Sequence, residues 1–175
     1  MRIRLVVAGT ILLLALGLTG CPEPVPAPFD TTGMYFGTWN GQSNEENVAE
    51  QQTVLACPLT ITLEQDVSLD YPANHAVKGT VEVDYSCLEL PDWIDEIPPS
   101  QAQVSGLLAD DGTLTLLSGG CGPGLCLVMT LSGTGVDSDS DGAMDEYGGT
   151  WSFTILLAGI RPFGVKGDFH VAATP

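Results

Sequence analysis

Leu59-Thr60-Ile61-Thr62-Leu63 alternates apolar and polar residues, and Val81-Glu82-Val83-Asp84-Tyr85 does the same some twenty residues later. Strict alternation puts successive side chains on opposite faces, so each stretch reads as a strand with one buried face. Folding the chain near Pro72-Ala73 sets Leu59 against Tyr85, Ile61 against Val83 and Leu63 against Val81. In that register both apolar rows fall on one face, as a half-buried antiparallel pair requires. The same register brings Cys57 opposite Cys87, at a separation suited to a disulfide.

The same pattern extends in both directions. Upstream, Met34 to Gly41 carries Tyr35, Gly37 and Trp39 on one face. Downstream, Val104–Ala109 and Thr113–Ser118 join through Asp111-Gly112, a pair suited to a two-residue type I′ turn. Cys121-Gly-Pro-Gly-Leu-Cys126 then forms a second hairpin tip closed by its own disulfide, which pairs Leu116 with Leu131. Trp151, Phe153, Ile155 and Leu157 alternate inward, and Val165, Gly167, Phe169 and Val171 answer them across a turn at Arg161-Pro162. Leu88 to Gln101 interrupts the pattern with three prolines. Trp93, Ile94 and Ile97 would form one helical turn there, and Asp92, Asp95 and Glu96 read as solvated acids.

The expected fold is therefore all-β, an antiparallel meander of about eight strands. Closing it into an up-and-down barrel removes exposed sheet edges, and a β-sandwich is the alternative. Gly37-Thr38-Trp39 resembles the G-x-W of lipocalins and avidins, and that resemblance implies a barrel of the same kind.

The N-terminus has a basic start (Arg2, Arg4), an apolar run from Leu5 to Leu16, then Leu18-Thr19-Gly20-Cys21. The order of charge, apolar run and small residues is a secretory signal. Its last four residues resemble the lipobox of bacterial lipoproteins. The resemblance implies a signal peptide over 1–20, cleavage before Cys21, and lipid on the Cys21 thiol and amino group. Pro22, Pro24, Pro26 and Pro28 alternate next, so 21–32 reads as an extended tether. A single β domain then occupies 33–175. Pro22 is not the aspartate associated with inner-membrane retention, which makes the outer membrane the expected location in the cell envelope.

Beyond Cys21 the cations are Lys78, Arg161 and Lys166, against 22 carboxylates, giving a formal charge of −19 for the expected mature chain. Such a surface repels nucleic acid, which is bound by cationic neutralisation. Four cysteines besides Cys21 form an even set behind an export signal. With no histidine near them, disulfides are expected before zinc.

Asp137-Ser-Asp139-Ser-Asp141-Gly142-Ala143-Met-Asp145-Glu146 resembles the calcium loop of EF-hands and related D-x-D-x-D-G repeats. Carboxylates at alternate positions can curl around a hard cation, and a glycine permits the sharp bend. The resemblance assigns Asp137, Asp139, Asp141, Asp145 and the Ala143 carbonyl as ligands of Ca²⁺. Gly148 stands where an EF-hand has its bidentate glutamate, so Glu146 is the candidate substitute.

Enzyme signals are thin. His75 reads as a turn residue and His170 as an outward strand residue, while Gly119-Gly120 and Gly148-Gly149 look like hairpin and strand-end glycines. No nucleophile-elbow, zincin or phosphate-loop motif is present. Two non-enzymatic readings remain. One is a calcium-stapled structural or interaction module held to the membrane by its lipid. The other is a lipocalin-like carrier of a small apolar ligand, for which large inward residues leave little room.

Overall fold

The computed structural model describes residues 25–44, 51–71, 74–89, 100–122, 125–157 and 162–174. Eight strands follow one another: β1 (Gly33–Ser43), β2 (Thr53–Tyr71), β3 (Asn74–Val83), β4 (Gln101–Ala109), β5 (Thr113–Gly122), β6 (Leu125–Val136), β7 (Glu146–Leu157) and β8 (Phe163–Ala173). Each pairs antiparallel with the next, and β8 pairs back onto β1, so the sheet is a closed up-and-down barrel. Closure leaves no sheet edge to template aggregation. The sandwich alternative falls with that closing pair. The Pro72-Ala73 turn, the 90–99 segment with Trp93, and Arg161 lie outside the described residues.

Inward and outward faces match the alternation in the sequence. Leu59, Ile61, Leu63, Val81, Val83, Trp151, Phe153, Ile155, Phe169 and Val171 are all buried in one core. Leu116 pairs with Leu131 and Cys121 with Cys126 as the second hairpin requires. An eight-stranded barrel is just wide enough for side chains to fill. Here Tyr35, Trp39, Tyr147, Phe153 and Phe163 occupy it.

The β2–β3 register differs from the expected one by two residues. Leu59 faces Val83, Ile61 faces Val81 and Leu63 faces Gly79. An even slip keeps every side chain on its own face, so the apolar pattern cannot distinguish the two registers. The ladder ends at Val83, and the chain coils into a 3-10 turn over Tyr85–Cys87. Asp84 caps that turn, its carboxylate accepting from the Ser86 N–H at 2.8 Å. The turn, rather than the ladder, carries Cys87 to Cys57, with 6.1 Å between their Cα atoms. Tyr85 leaves the strand yet stays in the core, its ring 5.4 Å from that of Phe153.

The β4–β5 hairpin also departs from expectation. Leu108 pairs with Leu114, which leaves Asp110, Asp111 and Gly112 between the strands. Gly112 takes φ +81° while Asp111 does not enter the left-handed region, and the Gly112 N–H donates to the Ala109 carbonyl at 3.0 Å. This is a three-residue hairpin with glycine in the left-handed position.

Inward glycines make the tight curvature possible. A Cβ on Gly106 would lie 1.8 Å from the Thr115 carbonyl oxygen, and one on Gly37 would lie 1.9 Å from that of His170. Gly149 plays the same part within β7, so it is a mid-strand bend and not a strand-end glycine. Glycine kinks of this kind are how a small barrel turns its corners.

His75 corrects a further expectation. It sits on β3 in phase with Val77 and is 0% exposed, with Nε2 3.8 Å from the Asp110 carboxylate. It belongs to the wall of the core and not to a surface turn.

Candidate metal centre

The acidic stretch joins β6 to β7 at one mouth of the barrel. Asp137, Asp139 and Asp145 each turn a carboxylate oxygen into one space, with these atoms within 4.8 Å of one another. The loop reaches this shape through left-handed residues: Ser140 at φ 64° and Gly142 at φ 91°. A Cβ at Gly142 would meet nothing within 4 Å, so the glycine is there for its backbone conformation and not for space.

Backbone N–H groups fix the carboxylates. Asp137 accepts from Ser140 (2.7 Å), Asp141 (3.2 Å) and Gly142 (2.9 Å). Asp139 accepts from the Asp141 N–H at 3.1 Å. Asp145 accepts from the Ser138 N–H at 2.7 Å and its hydroxyl at 2.6 Å. The Ser138 bonds hold the Asp145 carboxyl below the ordinary aspartate range, so it is ionised at neutral pH. These donors partly neutralise the cluster and leave lone pairs on each carboxylate. The donor set is all oxygen, which fits a hard cation such as Ca²⁺.

The other residues assigned from the motif are placed differently. Asp141 is not among the three converging carboxylates, and its Oδ1 accepts from the Ala143 N–H at 2.8 Å. Aspartate favours this local bond to the backbone two residues on, and Asp139 makes it as well. Glu146 begins β7 and meets the His170 Nε2 at 3.1 Å on the outer wall. Ala143 forms a parallel bridge with Asp30, through Asp30 N–H to the Gly142 carbonyl and Met144 N–H to the Asp30 carbonyl, both 2.8 Å. That ladder does not use the Ala143 carbonyl.

Comparison with protein-family models, curated proteins and solved structures returned no match. The site therefore stands on its own geometry.

The bridge to Asp30 was not legible in the motif. Residues 29–31 pack as part of the barrel: Phe29 is buried and Thr31 is 0% exposed. The Thr31 N–H donates to the Gln65 Oε1 at 3.0 Å, and the Tyr35 hydroxyl donates to the Thr31 carbonyl at 2.9 Å. Burial, with Asp30 and Asp145 nearby, pushes the Tyr35 phenol up to about 12. Phe29, an aromatic residue just after the proline run, was the available signal for this contact.

Cys21 lies outside the described residues. The four remaining cysteines form the two expected bonds, Cys57–Cys87 and Cys121–Cys126.

Proposed function

We propose that this protein is a lipid-anchored β-barrel of the bacterial cell envelope, non-enzymatic, acting as a structural or interaction module with a structural calcium ion in its 137–145 loop. The observation that carries the ion is the convergence of Asp137, Asp139 and Asp145 where two core strands meet. An ion bound there would hold the β6–β7 junction closed and leave no reactive group beside it. Asp137, Asp139 and Asp145 would hold it, in competition with water.

The carrier reading has the right architecture, a closed eight-stranded barrel, but large aromatic rings stand in its interior. Trp39 and Trp151 meet inside it at 4.4 Å between centroids, and Tyr147 meets Phe169 at 4.8 Å. An open groove of about 490 Å³ lies on the outer wall instead, between Thr130, Ser132, Thr150, Ser152 and Lys166. The interaction-module reading therefore leads.

Anchoring is tested by expressing the full chain in a lipoprotein-processing bacterium. The protein partitions into detergent and Cys21→Ala abolishes this. A Cys21→Ala chain that still fractionates with membranes through its N-terminus contradicts the anchor.

A further inference from the structure

The packed end of the tether has a consequence for how the barrel stands on a membrane. Phe29 closes over Met144 and Gly135, where a Cβ on Gly135 would lie 2.7 Å from the Phe29 ring. Asp30 is zippered to the acidic loop, and the Gln65 N–H donates to the Thr32 hydroxyl at 3.1 Å. The chain therefore leaves the barrel at the mouth formed by the β2–β3, β4–β5 and β6–β7 connections. The opposite mouth holds both disulfides.

We infer that residues 29–32 form a strap that fixes the barrel with its acidic mouth toward the lipid headgroups and its disulfide mouth away from them. This rests on lipidation of Cys21. Seven residues lie between Cys21 and Phe29, so eight Cα–Cα steps join them. Even fully extended they reach at most about 28 Å. A strand of eleven residues, such as β8, tilted as in small barrels, makes the wall roughly 28 Å tall. Inverting the barrel would lift the acidic mouth by the full wall height and use the entire reach of the tether, so the acidic mouth is held toward the bilayer.

The test uses the lipidated full chain in phosphatidylcholine vesicles carrying a headgroup energy acceptor. A donor dye is attached at Ser140→Cys on the acidic loop or at Ser100→Cys at the start of β4, without reductant so that the native disulfides persist. Transfer from position 140 should exceed transfer from position 100 several-fold. Inserting twenty Gly/Ser residues between Pro24 and Val25 should erase the difference. Equal transfer, or greater transfer from position 100, in protein that floats with the vesicles overturns the orientation alone. A preference that survives the insertion also overturns the strap as its cause. Protein that does not float removes the anchor, and the orientation with it.

Discussion

Trp39 and Trp151 lie edge to face across the barrel interior, their ring centroids 4.4 Å apart, although β8 separates their strands in the sheet. The pair packs together over the intervening strand β8, where Trp39 faces Phe169 and Trp151 faces Gly167. The two indoles differ in one respect. Trp151 Nε1 donates to the Asn40 carbonyl at 2.9 Å, whereas Trp39 Nε1 is buried without a hydrogen-bond partner among the described residues. Both substitutions to Phe lose similar apolar area, but only Trp151→Phe also loses a hydrogen bond. Trp151→Phe should therefore cost about 1 kcal/mol more than Trp39→Phe in urea unfolding. Equal costs would show that the Asn40 contact contributes nothing.

The two disulfides should differ in value. Cys57–Cys87 closes a sequence separation of 30 and Cys121–Cys126 one of 5. By loop-closure entropy, the first is worth about 3–4 kcal/mol and the second about 2 kcal/mol. Paired Cys→Ala variants measured in denaturant check the order, which a larger loss from the short loop would reverse.

How far the sequence determined this outcome depends on what each residue's signal reports. Alternation reports face, and the inward rows from Leu59 to Val171 are where alternation put them, Leu157 excepted, whose side chain lies outside the described residues. It cannot report register modulo two, and the β2–β3 slip is of that size; the position was set by where Asp84 caps the turn at Tyr85–Cys87. His75 was misplaced because a lone polar residue beside a turn carries no face signal until the strand start at Asn74 is known. In the acidic loop, spacing brought Asp137, Asp139 and Asp145 together but could not show that Asp141 accepts from the Ala143 N–H. Nor could it show Asp30 reaching in from more than a hundred residues away.

Alkaline pH should weaken the fold through buried phenols. Burial raises Tyr85 to about 12, Tyr35 is raised to about 12, and Tyr147 is raised as well, its hydroxyl donating to the Leu114 carbonyl at 3.0 Å. Unfolded tyrosine titrates near 10. A folded value above that means the folded state holds its proton more tightly. The stabilisation is complete below about pH 10 and is lost as pH rises through about 12. Denaturation midpoints taken from pH 8 to 12 should fall in that upper window, and Tyr147→Phe should flatten the fall. A midpoint constant to pH 12 contradicts the assignment.

The most direct measurement is thermal unfolding of the full chain in chelator and in millimolar calcium. Three carboxylates with backbone donors and no bidentate glutamate at the Gly148 position should bind Ca²⁺ with a dissociation constant on the order of 10⁻⁴–10⁻³ M. At ten times that constant, linkage adds about 1.4 kcal/mol, which raises the melting temperature by a few degrees. Asp139→Asn removes a ligand charge whose one hydrogen bond among the described residues is accepted from the Asp141 N–H, so it should erase the shift and leave the calcium-free protein folded. Coincident wild-type curves in chelator and in several millimolar calcium would contradict a structural ion at Asp137, Asp139 and Asp145 and leave the loop an acidic turn.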